Sequence, residues 1–158
     1  MDNKLEVKKC IKQFKIKETD IYKTPEKVFR EMEVEFRVNL RKAFDPCPFP
    51  STGKDGLQIK WKSPAFVNPP FSNITKWIRK ALKENEENDV VSYFVLPWWY
   101  ACAEHEPKWK RIIRKSWTKQ YQNSFAHPNS KNKNANVNVH YLKIDKALLK
   151  AIQKQPGF

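Results

Sequence analysis

Phe66-Val67-Asn68-Pro69-Pro70-Phe71-Ser72 is the stretch on which the reading of this chain turns. Ala65 to Val67 are apolar and suit the interior of a short buried strand. Pro69 and Pro70 cannot donate to a strand ladder, so the strand ends there. Ser72 is a good helix N-cap, and Ile74, Trp77, Ile78, Ala81 and Leu82 follow at helical spacing. Asn68 therefore falls at the carboxyl end of a strand, in a stiff turn, with an aromatic ring just beyond. In open α/β sheets that edge is where ligands bind.

Such a turn offers specific chemistry. The Asn68 side-chain oxygen and a proline carbonyl are two fixed acceptors, matched to the two hydrogens of one planar amino group. A nitrogen held this way gains electron density and is prepared to attack an electrophile. Phe71 supplies a ring face on which a flat base can stack, worth about 1–3 kcal/mol per base. The plainer reading of the same four residues is a proline-stiffened turn that starts a helix.

The 158 residues suit one domain with a real core, and 40% of them are hydrophobic. Six Trp, ten Phe and five Tyr supply bulky groups to pack or to stack. The net charge of +14 points to a polyanionic partner, nucleic acid first. The charge is uneven. Glu104 to Phe158 carries 12 Lys and Arg against 3 acids. Three widely spaced cysteines, Cys10, Cys47 and Cys102, argue against a disulfide framework and fit a reducing compartment. No Cys/His cluster has metal-ligand spacing, so no metal is expected. No apolar run approaches the ~20 residues of a membrane span, and the charged N-terminus lacks the apolar core of a secretory signal.

Along the chain, residues 1–19 form a Lys-rich arm, either solvated or laid along a phosphate backbone. Thr24 reads as an N-cap with Pro25 at the first helical position. Val28, Phe29, Met32 and Phe36 then make an apolar face. Arg41 to Asp45 reads as a strand ending in an acid, which can hold the ammonium or ribose of a nucleoside or simply cap a turn. Residues 47–64 read as a loop. The helix after Ser72 ends in Glu84, Glu86 and Glu87, which oppose its dipole and predict a solvent-facing end. Asp89 to Leu96 fits a central parallel strand that Pro97 ends. Trp98, Trp99 and Tyr100 follow at the same edge as Asn68. They either wall a base pocket, wedge a duplex open, or close the core. His105 to Lys115 predicts a basic helix carrying Lys108, Lys110, Arg111, Arg114 and Lys115, with Trp109, Ile112 and Ile113 inward. Trp117 to Phe125 predicts a strand. Residues 126–136 form a polar loop with Lys131 and Lys133, suited to a groove or to nothing. Val137 to Ile144 predicts an antiparallel edge strand, and Asp145 to Gln153 a short helix.

Several of these segments together resemble the small phage-type DNA N6-adenine methyltransferases, whose catalytic turn is Asn/Asp-Pro-Pro-Tyr/Phe. Besides Asn68 to Phe71, Thr24-Pro25-Glu26-x-Val28-Phe29 is similar to the family's opening helix. Phe44-Asp45-Pro46-Cys47 is similar to its Asp-Pro-Cys segment, and Asp55-Gly56-Leu57 with Trp61 to its Asp-Gly-Leu…Trp segment. Val90 to Pro97 resembles its Leu-Pro strand. The segments run in the family's order over residues 20 to 145. The resemblance implies an α/β, reduced Rossmann-like class I methyltransferase with a mostly parallel sheet and an antiparallel edge strand, forming one domain over residues 20–158. It implies site-specific methyl transfer from S-adenosylmethionine to adenine N6 in DNA. The base would be flipped out and the transfer in line. Asn68, Pro69, Pro70 and Phe71 would be catalytic. Tyr22, Thr24, Pro25, Asp45, Pro46, Asp55 and Asn68 would bind the cofactor. Trp98, Trp99, Lys108, Lys110, Arg111, Arg114, Lys131 and Lys133 would meet DNA. Such an enzyme would be intracellular, cytoplasmic or nuclear, and of phage or viral type.

One departure stands out. Rossmann-like methyltransferases carry a glycine-rich loop after the first strand, but this chain has three glycines in all. The short span from Asp45 to Asn68 also leaves no room for the usual strand-helix units between them. A homodimer or partner subunit could complete a weak cofactor site. The rival readings are a catalytically inactive DNA-binding relative and a methyltransferase acting on RNA or on protein glutamine.

Overall fold

The structure, a computed structural model, describes residues 23–48, 52–101, 106–125 and 135–158. It is a mixed α/β arrangement in which one sheet is covered on both faces. The elements are α1 (Glu26–Phe36), β1 (Ala65–Val67), a 3-10 turn (Phe71–Asn73), α2 (Ile74–Asn88), β2 (Ser92–Pro97), α3 (Lys108–Ser116), β3 (Tyr121–Phe125), β4 (Ala135–Ile144) and α4 (Lys146–Gln153). The four strands lie in the order β1-β2-β4-β3.

Alternation along each strand builds the two cores. Ala65 and Val67, Phe94 and Leu96, and Leu142 and Ile144 face one layer. There they meet Trp77, Ile78, Ala81 and Leu82 of α2, Trp109 and Ile113 of α3, and Leu148, Leu149 and Ile152 of α4. Phe66, Tyr93 and Val95, Val139 and Tyr141 face the other, against Val28 and Met32 of α1. Burial on both faces explains why β1 and β2 read as unbroken apolar runs.

The expected mostly parallel sheet is corrected. β1 pairs with β2 in parallel, Phe66 opposite Tyr93, but β2–β4 and β3–β4 are antiparallel. The expected edge strand, β4, lies inside the sheet, and β3 is the edge. The reason is local pairing: β3 and β4 form their own antiparallel pair, and β4 then adds to β2 through six residue pairs. The expected strand from Arg41 to Asp45 contracts to one parallel bridge, Phe44 to Ala65. A turn closed by the Ala43 amide on the Leu40 carbonyl occupies its first half, and Pro46 follows at once.

Two helix ends also differ from expectation. Ser72 lies inside the 3-10 turn, and Asn73 takes the cap position of α2, without a side-chain cap bond. At the other end of α2, Glu84 is buried rather than solvent-facing. It accepts from Lys80 Nζ at 2.7 Å and Asn88 Nδ2 at 2.9 Å. Burial alone would raise its pKa, but these bonds, with one from the Trp61 backbone amide, hold it below the ordinary carboxylate value. Glu86 and Glu87 are exposed as expected. By contrast α4 starts as predicted, with Asp145 Oδ1 accepting from the Leu148 amide at 3.0 Å.

α1 is fixed to the sheet by polar groups as well as by its apolar face. Glu31 Oε1 accepts from the Tyr141 hydroxyl at 2.9 Å and from Asn123 Nδ2 at 3.0 Å. Burial first, and the Glu31 carboxylate second, push the Tyr141 hydroxyl far above its ordinary pKa. This bracing sets the position of the residues just before α1, which enter the site below.

Candidate active site

β1 ends at Val67, and the chain turns through Asn68, Pro69 and Pro70 into the 3-10 turn. Both prolines are buried, and Asn68 is partly accessible. Asn68 Nδ2 donates to Thr24 Oγ1 at 3.1 Å, across 44 positions of sequence. Among the described residues, nothing donates to Asn68 Oδ1 or to the Pro69 carbonyl. The Pro70 carbonyl is used within the turn, accepting from the Asn73 amide at 3.0 Å. The turn thus carries two acceptors that meet no donor among the described residues, at the carboxyl edge of a parallel strand.

Thr24 was expected to cap α1. Instead Pro25 occupies the cap position and no side chain caps the helix. The Thr24 hydroxyl is used on Asn68, which ties the start of α1 to the Asn68–Phe71 turn.

Asp45 arrives beside the same edge through the Phe44 bridge, where the Phe66 amide donates to the Phe44 carbonyl at 2.8 Å. Its Oδ1 accepts from the Cys47 amide at 2.9 Å, and its Oδ2 meets no donor among the described residues. Dense surrounding protein raises its pKa from 3.8 to about 7, against the opposing pull of the Cys47 bond, although the side chain keeps partial solvent access. A half-buried acid with a spare oxygen suits a cationic or hydroxyl-bearing ligand.

The Asp-Gly-Leu…Trp segment acts beneath Asp45. Asp55 Oδ1 accepts from the Leu57 amide at 2.9 Å, which folds the loop back on itself. Gly56 lies so close to the chain at Pro46 that a Cβ would overlap the Pro46 carbonyl and sit 2.9 Å from the Trp77 ring. The Gly56 carbonyl accepts from Trp61 Nε1 at 2.8 Å, and Trp61 stacks on Trp77. Trp61 therefore belongs to the core. Gly56, not singled out for a role from sequence, seats the loop against the Asp45-Pro46 turn, and it was legible only as part of its motif.

On the far side of the turn lies an open pocket of about 450 Å³, lined in part by Phe71, Thr75, Trp99, Tyr100, Glu106 and Lys110. Trp99 meets Phe71 edge-on, with centroids 6.3 Å apart and planes at 89°. Trp98 and Trp99 are 51% and 46% exposed, whereas Tyr100 is buried. The aromatic triplet thus divides into two exposed rings and one core ring. The Tyr100 hydroxyl lies 2.9 Å from that of Thr75, and burial pushes it up to about 12.

The basic helix divides as well. Lys108, Arg111, Arg114 and Lys115 are exposed. Lys110 is not available in the same way: its Nζ pairs with Glu106 at 3.0 Å and lies 4.6 Å above the Tyr100 ring centre. It lines the pocket, and its i,i+4 spacing from Glu106 was the available signal for that pairing. Tyr22, Lys131 and Lys133 lie outside the described residues. Among the described residues no three His, Cys, Asp or Glu side chains gather as a metal site, and no helix is long and apolar enough to cross a membrane.

No curated protein matches this chain. A family model described as DNA N-6-adenine-methyltransferase (Dam) matches residues 12–140, which include the Thr24–Asn68 pair, Asp45, the pocket and the basic helix; the chain therefore belongs to the Dam family of DNA N6-adenine methyltransferases.

Proposed function

We propose that the Asn68–Phe71 turn is where methyl transfer to adenine N6 takes place, on a base swung out of the duplex. The observation that carries this reading is that Asn68 Oδ1 and the Pro69 carbonyl meet no donor among the described residues, while the nitrogen end of the Asn68 carboxamide is tied to Thr24. An exocyclic amine has one hydrogen for each acceptor. Phe71 supports the ring plane, and Trp99 closes the side of the pocket. Flipping costs a few kcal/mol, which stacking of about 1–3 kcal/mol partly offsets. Most of the acceleration comes from position and fixed dipoles rather than from a covalent enzyme intermediate.

The donor set fits S-adenosylmethionine. Asp45 offers a spare carboxylate oxygen to an ammonium or ribose hydroxyl and Thr24 is bonded to Asn68, with Pro46 next to Asp45 in sequence and Tyr22 and Pro25 close to Thr24 in sequence. Asp55 contributes by shaping the loop under Asp45. When bound, the cofactor supplies an activated methyl for direct in-line transfer. The exposed Lys108, Arg111, Arg114 and Lys115 neutralise phosphates, and Lys131, Lys133 and the arm over residues 1–19 extend that contact. Trp98 is offered to the opened duplex. The fold is read as a reduced Rossmann-like class I methyltransferase, one domain over residues 20–158, which a second subunit can complete.

The test is incubation of DNA with methyl-labelled S-adenosylmethionine, then digestion and mass spectrometry for N6-methyladenine. The full chain forms it, and Asn68→Ala lowers the yield by about 100-fold or more, the scale of losing one preorganised polar contact. Activity surviving in Asn68→Ala overturns the site. Label on RNA or protein in place of DNA overturns the substrate. DNA retention with no calorimetric response to the cofactor overturns catalysis in favour of a binding protein.

A further inference from the structure

We infer that Thr24 is a positioning residue for Asn68, anchoring its carboxamide in the orientation that turns Oδ1 toward the substrate amine. The inference rests on the reading of Asn68 given above. The two ends of a carboxamide are nearly identical in shape but opposite in hydrogen bonding: oxygen accepts and nitrogen donates. Half a turn about the last side-chain bond would set the Asn68 NH2 against the amino group to be methylated, donor against donor. The bound amine selects the orientation with Oδ1 outward and Nδ2 inward, and a hydroxyl on the inner side then accepts from Nδ2 and anchors the carboxamide there. The inward partner is the Thr24 hydroxyl, 3.1 Å from Nδ2.

Thr24 is suited to this duty by what it does not do. It precedes Pro25 and Glu26, the sequence pattern of a helix cap, yet α1 has no side-chain cap bond. Its oxygen is left for a residue 44 positions away. Its backbone is steadied by α1, whose first turn closes on the Pro25 carbonyl through the Val28 amide at 3.1 Å. The Glu31–Tyr141 and Glu31–Asn123 bonds brace α1 against β3 and β4 in turn. The hydroxyl is thus held on one side of the sheet and the carboxamide on the strand end, so the contact reports their relative position.

Thr24→Val keeps the branched shape and removes the hydroxyl, and Thr24→Ser keeps the hydroxyl. A neutral hydrogen bond shifts such a balance by about two- to tenfold. Thr24→Val is expected to lower kcat by about three- to tenfold, beyond any change in cofactor affinity and with KM for DNA unchanged, and Thr24→Ser to recover most of that kcat. The side-chain amide signal of Asn68 in a ¹H–¹⁵N spectrum, assigned by its loss in Asn68→Ala, is expected to move in Thr24→Val and hold in Thr24→Ser. Full kcat in Thr24→Val with Asn68→Ala inactive overturns this inference alone. Equal impairment of both Thr24 variants, or a loss confined to cofactor affinity, also overturns it. Activity in Asn68→Ala overturns the site reading itself and the inference with it.

Discussion

Replacing Asp45 by Asn should change how stability depends on pH. Burial lifts the Asp45 pKa from 3.8 to about 7 in the folded chain. Between those values the folded state keeps a proton that the unfolded state has released, so stability falls as pH rises and levels off above about 7. Each unit of difference corresponds to about 1.4 kcal/mol, which sets an upper bound of about 4 kcal/mol; partial solvent access reduces this to about 2–4 kcal/mol. Asn is neutral throughout, and its Oδ1 can still accept the Cys47 amide that Asp45 holds at 2.9 Å. Asp45→Asn should therefore match the parent near pH 4 and exceed it in stability by about 2–4 kcal/mol near pH 8. Urea unfolding of both proteins in identical buffers across that range measures the difference directly. Effects of other titrating groups cancel in the comparison. Added S-adenosylmethionine should raise parent stability most above pH 7 and leave Asp45→Asn little changed, because an ammonium partner compensates only an ionised carboxylate. A stability difference that is flat with pH, or that grows as pH falls, would refute the argument.

Two other substitutions test the frame around the site. Gly56→Ala drives a Cβ into the Pro46 carbonyl and to 2.9 Å from the Trp77 ring, neither of which can swing aside. It should cost about 1–3 kcal/mol in urea unfolding and weaken cofactor binding by disturbing the Asp45 turn; a change within about 0.5 kcal/mol would contradict the close packing. On α3, Arg111→Gln should weaken DNA binding and reduce the slope of log affinity against log salt by about 0.9, as for one lost phosphate contact. Lys110→Met should leave that slope alone and lower the melting temperature, since Lys110 is engaged by Glu106 and Tyr100. Equal salt slopes for the two variants would remove the distinction between them.

The turn at Asn68, the strand before it and the helix after it were legible from adjacent residues alone. Proline stops a ladder wherever it stands, and an apolar stripe at helical spacing folds the same way in many surroundings. The order of the short motifs was enough to identify a DNA adenine methyltransferase, which the match over residues 12–140 bears out. Other matters depended on groups far apart in sequence. Whether the Thr24 hydroxyl caps its own helix or holds Asn68 is a competition between a local and a distant partner, and the distant one won. The charge of Glu84 opposes its helix dipole, which points to exposure, but Lys80, Asn88 and the Trp61 amide surround it and let it be buried. The direction of the strands was likewise hidden, because a strand buried on both faces has the same apolar pattern whether its neighbour runs with it or against it. Sequence by itself determined which chemical groups this protein carries and in what order. Only the tertiary structure decided which of them meet, because hydrogen-bond partners and burial are set by proximity in space, which chain order does not encode.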